Sequence, residues 1–210
     1  MSSHLVEIFE DEALKNKIGE RLPHLFTLAA KETSRAGNIG MQAGSLRENI
    51  IIALLIYKFG EQNVRIDKPI IAPEVDVEVF GVPVSIKTVS SKGLTGVKLV
   101  WTVDTQKARE FSEKYYPRCD MLFVHIIWGG VGGFYYIPLA VQRKLFEEMG
   151  RERYMKLPKP GTNPRGVEIS KEALLRLIRD EETKSIGVSW QRSEVEHDPY
   201  KRWVDYWREK

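Results

Sequence analysis

The chain has 210 residues, with 32 Lys and Arg against 29 Asp and Glu and a formal net charge of +3. That is enough for one domain with a real core, and too nearly neutral for a polycation, so any polyanion must meet a local patch. The single cysteine, Cys119, excludes an intrachain disulfide framework and a cysteine-rich zinc site.

The apolar runs at residues 50–56 and 121–128 are far too short to cross a bilayer, and no secretory signal is read, which points to the cytoplasm. Residues 5–35 carry helical spacing interrupted near Arg21, Leu22 and Pro23. This predicts one helix ending near Glu20 and another from Pro23 to about Ser34. Gly37, Gly40 and Gly44 punctuate residues 36–44 into a loop. Ser45 opens the next helix and Gly60 stops it, and its apolar interior makes it mostly buried.

Strands are expected at residues 64–66, 75–80 and 83–89, followed by a polar loop at 90–96 and a strand at 98–103. Asp104 caps a helix to about Tyr115, stopped by Pro117. Residues 120–128 form a nearly continuous apolar strand, the pattern of a sheet interior. Residues 129–133 turn the chain into a strand at 134–137, and Pro138 starts a helix to about Met149. A proline-rich connector at 157–166 precedes an amphipathic helix from Ser170 to about Asp180. Beyond Pro199, Tyr200, Trp203, Tyr206 and Trp207 alternate with charges, as in a docking helix or dimer contact. The order predicts an α/β protein in which a mixed central sheet is flanked by helices. We place a single domain over residues 1–210, its core at 45–128 and its helical additions at 1–36 and 138–210.

The chemistry concentrates between Pro73 and Thr88, two strands joined by a tight turn at Gly81. Val75, Val77 and Val79 share one face, and Asp76, Glu78 and Phe80 share the other. Such a hairpin brings Asp76 beside Lys87. Strands are depleted in Asp, so one in mid-strand calls for an explanation. A carboxylate and a lysine on adjacent strands suit a divalent cation and a scissile phosphate. The blander alternative makes Asp76 a solvated edge carboxylate and Lys87 an edge lysine that guards against aggregation. Glu78, on the same face, is either a second ligand or a solubilising residue, and the second reading is favoured. Glu48, three residues after Ser45, reads as the return half of a capping box, though a glutamate there can also face the sheet. Glu182, Thr183 and Lys184 match a Glu-x-Lys search literally but follow an amphipathic helix, and read as a solvated helix end. The four histidines are not spaced as metal ligands.

A buried helix bearing a Glu, a strand with an Asp, and a strand ending in x-Lys together resemble the PD-(D/E)XK nuclease superfamily, whose αβββαβ core would lie over residues 45–128. Within it, Ser85-Ile86-Lys87-Thr88-Val89-Ser90, the glycine loop after it and Val97-Lys98-Leu99-Val100-Trp101-Thr102 look most like type II restriction endonucleases. The spacing of Met41, Glu48, Asp76 and Lys87 is similar to the ThaI-like group that cuts CG/CG to blunt ends. The resemblance implies a Mg²⁺-dependent homodimer that cleaves both strands of double-stranded DNA at a short palindromic site. It implies Glu48, Asp76 and Lys87 as catalytic residues, with Mg²⁺ on Asp76, Glu48 and the Ile86 carbonyl. The chain departs from the motif at Ser85, where an acid two before the lysine is usual. Glu48 would then supply that charge from the helix, and one tightly held Mg²⁺ is favoured over two.

For DNA contact, the resemblance implies Met41 as a wedge entering between base steps from the minor groove; the alternative is a loop methionine tucked into the core. Gln42 and Asn38 offer hydrogen bonds to base edges, and Ser90, Ser91, Lys92 and Lys98 offer hydroxyl and ammonium groups to phosphates or bases. Two other functions fit less of the sequence. A Holliday-junction resolvase of the same superfamily is generally smaller and more basic. A DNA-binding module that has lost catalysis would carry Ser85 as the trace of decay.

Overall fold

The computed structural model describes residues 4–34, 41–66, 74–100, 102–156, 166–194, 198 and 200–208. The chain opens with α1 (Val6–Glu10) and α2 (Glu12–Ser34). Sequence spacing predicted a break at Pro23, but α2 passes through it. Pro23 forfeits one helical hydrogen bond, a loss of about 3 kcal/mol. The buried stripe of Leu14, Ile18, Leu22, Phe26 and Ala29 spans the position, and each large apolar side chain removed from water contributes roughly 2 kcal/mol. The break falls at Asp11 instead, whose carboxylate accepts the Leu14 N–H at 3.0 Å and pairs with Lys58 at 2.9 Å.

Helix α3 (Met41–Phe59) starts four residues before the expected Ser45. Ser45 is therefore inside the helix and is not its N-cap, so the Ser45–Glu48 spacing is not a capping box. Gly44 costs the helix about 1 kcal/mol in backbone entropy, which the buried side chains farther along α3, Ile51, Ile52 and Leu55, outweigh. Asn38 lies outside the described residues.

The central sheet contains β1 (Val64–Arg65), β2 (Val77–Val79), β3 (Val82–Ser90), β5 (Asp120–Ile126), β6 (Val131–Ile137) and β9 (Lys184–Ser189), in the order β1-β2-β3-β5-β6-β9. β3 and β5 run parallel, and the other neighbours are antiparallel. The predicted mixed sheet flanked by helices is present, and β5 is buried along its whole length as its apolar run implied. β4 (Val97–Val100) leaves this sheet and pairs with β8 (Val167–Ile169), which also holds β7 (Met155–Lys156), in a second sheet of three short strands.

Alternation divides the core between the two faces of the sheet. Val77, Val79, Val84, Ile86, Leu122, Val124 and Ile126 pack with α1, α2 and α3. Met121, Phe123 and Ile137 pack with α4 (Thr105–Lys114), α5 (Leu139–Met149), α6 (Arg151–Tyr154), α7 (Lys171–Arg179) and the small sheet. The C-terminal segment forms α8 (Lys201–Arg208), with Tyr200, Tyr206 and Trp207 exposed. Among the described residues, no helix is long and apolar enough to cross a membrane.

Asp104 caps α4 as expected, accepting the N–H groups of Gln106 and Lys107 at 2.9 and 3.1 Å. Asp104→Ala is expected to cost about 1 kcal/mol, lowering the melting temperature by roughly 2–4 °C for a chain of this size. Thermal denaturation followed by circular dichroism measures it.

Candidate active site

The hairpin places its two chemical side chains together. Asp76 immediately precedes β2 and stays alongside β3, donating its N–H to the Val84 carbonyl at 2.9 Å. Its Oδ2 accepts from Lys87 Nζ at 3.1 Å, from the Ile86 N–H at 2.7 Å and from the Ser85 hydroxyl at 3.4 Å. Asp76 is 5% exposed, and the Lys87 side chain is 12% exposed. A carboxylate this deep needs its charge answered, and the ammonium and amide answer it. Edge solvation does not describe this pair, because both side chains are sunk between β2 and the centre of the sheet.

Strand alternation explains the convergence. Ser85 and Lys87 point to the face carrying Met121 and Phe123, opposite the face where Val84 and Ile86 meet the N-terminal helices. Glu78 turns instead toward Arg65 on the neighbouring strand, 3.9 Å away, so it serves the sheet edge as expected. Phe80 leaves the strand for the turn, at φ 50°, beside Phe59 and His4.

Glu48 occupies α3 one turn ahead of Ile51 and Ile52, which face the sheet's valine side. One further buried acid precedes Asp76 in the chain, Glu74. It is 8% exposed, and burial raises its carboxyl above the usual range, while Arg118 and Lys87 pull it back down. It stands in the turn two residues before Asp76, ahead of β2.

Two further buried groups near the site, Asp120 and Cys119, have other roles. Asp120 accepts from the Tyr136 hydroxyl at 3.0 Å and from the Leu139 N–H at 2.8 Å, tying β5 to the start of α5. Cys119 lies beneath the site, its thiol pushed up to about 12 by burial first and then by Glu74. A thiol so placed stays protonated in mildly alkaline buffer and is a poor nucleophile. Iodoacetamide is therefore expected to leave Cys119 unlabelled in the folded protein and to label it in guanidinium, as mass spectrometry would read; rapid labelling of the native protein would contradict the burial.

The segment after β3 is anchored where it begins and where it ends. The Ser91 N–H donates to the Ile126 carbonyl at 3.1 Å, and Leu94 and Val97 are buried. Ser90 and Lys92 are exposed, Ser91 is half-buried, and Lys98 is half-buried on β4 opposite Glu168. Met41 and Gln42 lie in the first turn of α3 and not in a loop. Glu182 and Thr183 form the turn between α7 and β9, and Lys184 opens that edge strand, far in the sheet order from β2 and β3.

The donor set bears on which cation would suit the site. Among the described residues, no three His, Cys, Asp or Glu side chains converge on a point. An all-protein cage of the zinc or high-affinity calcium kind is thus not built here. One or two carboxylates beside a lysine fit a hard cation that keeps most of its shell as water and substrate phosphate, which is the habit of Mg²⁺.

Comparison with known proteins converges with this geometry. A solved structure described as a restriction endonuclease in complex with substrate DNA superposes with a TM-score of 0.90 at 55% identity, covering 98% of this chain and 99% of that one. No curated protein matches the chain. The family model for restriction endonuclease ThaI matches residues 8–209, nearly the whole sequence. The chain therefore belongs to the ThaI restriction endonuclease family and is a type II site-specific deoxyribonuclease.

Proposed function

We propose that the protein is a Mg²⁺-dependent homodimer, each chain one nuclease domain, that cleaves both strands of duplex DNA at a short palindrome, CG/CG with blunt ends. The observation that carries the chemistry is the buried Asp76–Lys87 pair, 3.1 Å apart, with Ser85 and the Ile86 N–H on the same carboxylate oxygen. Asp76 would hold the cation, with the Ile86 carbonyl and Glu48 completing the site. Bound Mg²⁺ would polarise the scissile phosphate and lower the pKa of water. Lys87, an ammonium held on β3 beside Asp76, would orient the attacking water and oppose the charge that grows on the phosphate oxygens. Ser85 would hold water beside Asp76 where the superfamily usually has an acid.

A palindromic site is two-fold symmetric, and a two-fold dimer presents one active site to each strand. Met41 and Gln42, at the start of α3, would approach the bases. Ser90, Ser91, Lys92 and Lys98 would meet the phosphates beside Lys87. The structural neighbour's description, a restriction endonuclease with substrate DNA, supports the choice of partner.

The test incubates the full-length protein with plasmid DNA and Mg²⁺, then sequences the ends. Expected are blunt ends within CGCG, no cutting in excess chelator, and a dimer mass by light scattering. Cutting confined to four-way junctions would favour the resolvase reading, and intact DNA under all conditions would favour the decayed module.

A further inference from the structure

We propose that two copies of the chain are joined by exchange of α8, whose apolar face lies in the groove between α2 and α3 of a second copy. The inference rests on the homodimer reading above and gives it an interface. Three observations carry it.

The first is the outer side of α3. Ile51, Ile52 and Leu55 are buried and pack in the core beneath the helix. Ile50, Ala53, Leu54 and Tyr57 recur at i, i+3, i+4 and i+7, which makes a second apolar stripe on the same helix. With Leu22 and Leu25 of α2 they line a groove of about 310 Å³. Ala53 and Leu25 are exposed, and Tyr57 is 64% exposed. A helix that is apolar all round is normally covered all round, and among the described residues this side of α3 stays open.

The second is α8. Tyr200, just ahead of it, and Val204 and Trp207 within it fall at i, i+4 and i+7 and so share one face. All three are exposed, Trp207 at 90%. The charges run along the neighbouring stripe, where Asp205 pairs with Lys201 at 2.7 Å and with Arg208 at 3.7 Å. An amphipathic helix with anchors at this spacing is the ligand that an apolar groove between helices takes.

The third is reach. His24 Nδ1, next to Leu25 in the chain, lies 3.1 Å from the Ser193 hydroxyl oxygen. The chain beyond β9 therefore passes the groove's end, and the stretch from Ser193 to Lys201 spans at most roughly 30 Å. In a two-fold pair this short tether delivers each helix to the other's groove, and every copy gives one helix and takes one.

The chemistry of the groove suits aromatic anchors. Lys17 Nζ lies 4.6 Å from the centre of the Tyr57 ring, and Lys17 and Arg21 line the groove, offering cations to a ring face; tryptophan is the best acceptor of that contact. The area is also sufficient. Tyr200 and Trp207 from two copies remove roughly 600–1,000 Å² from water and the grooves about as much, which reaches the roughly 1,200–2,000 Å² of a stable interface.

The experiment uses the full-length protein in a dilution series followed by sedimentation. Trp207→Ala and Ala53→Arg are each expected to weaken the dimer by about 30-fold or more, the scale of an interface anchor, with melting temperatures near wild type. Val103→Ala, exposed on another surface, is expected to change nothing. In parallel, Glu20→Cys protein is mixed with Arg208→Cys protein and treated with a bismaleimide; both positions are exposed, and Cys119 is buried. A covalent heterodimer is expected in the mixture and not in either variant alone. This arm decides the matter if Ala53→Arg does not fold. A wild-type protein that stays monomeric sinks the homodimer reading. A wild-type dimer that Trp207→Ala leaves within about twofold of its affinity, with no heterodimer in the mixture, sinks this inference alone.

Discussion

Asp76→Asn is expected to reduce plasmid cleavage by about 10³-fold or more while the protein stays folded. The magnitude follows from the proposed role. A carboxylate that holds a catalytic cation supports several kcal/mol of transition-state stabilisation, and roughly 4 kcal/mol is about 10³ in rate. Folding should survive because the amide is nearly isosteric and can still accept from the Ile86 N–H and the Ser85 hydroxyl, which meet Asp76 Oδ2 at 2.7 and 3.4 Å. Lys87→Ala should be as inactive but also less stable, because it strips a buried carboxylate of its cation, a loss of about 3 kcal/mol or more. The double variant should be no slower than the worse single, since residues acting as a unit do not add. Quenched-flow cleavage with melting curves on the same preparations measures all three. Cleavage within about tenfold of wild type in Asp76→Asn would remove this carboxylate from the chemistry.

The site was legible where chemistry and period agreed. Period-two spacing separated Val75, Val77 and Val79 from Asp76 and Glu78, and the turn at Gly81 folded Lys87 back beside Asp76, as the structure has it. Glu74 was passed over because it lies just ahead of β2, where the pattern carries no face assignment, and the cations that act on it, Arg118 and Lys87, are distant in sequence. Helix ends failed for a local reason. Pro23 and Gly44 are strong punctuation in an isolated chain, but buried stripes on α2 and α3 outweigh a missing N–H and a flexible residue. The strands β7, β8 and β9 were missed because they are short. β7 and β8 have two and three residues, too few to show a period, and β9 carries Gly187 between its only inward residues, Ile186 and Val188.

Residues 129–133 differ from the turn expected of them, because Gly132 and Gly133 are part of β6. Their lack of side chains is a packing requirement and yields the second large effect. A β-carbon on Gly132 would stand 2.0 Å from the His125 carbonyl oxygen and 2.6 Å from Trp190 Nε1. Trp190 is fully buried against Phe26 and Trp128 and cannot swing away without opening the core beneath α2. The carbonyl belongs to β5, the parallel partner of β3 and the most buried strand of the sheet.

Gly132→Ala is therefore expected to cost about 3 kcal/mol or more, a melting temperature lower by roughly 6–12 °C for a chain of this size. Adding Trp190→Ala should not rescue it, because the closer contact is with backbone. Gly187→Ala on β9 is the control: nothing stands within 4 Å of its β-carbon, so it should be neutral or slightly stabilising. Because β5 sets the position of the strand carrying Lys87, cleavage by Gly132→Ala should fall only as the fold melts, in step with temperature. Asp76→Asn separates activity from stability; Gly132→Ala should not. A Gly132→Ala protein that melts with wild type would mean that β5 and β6 have room to part at His125.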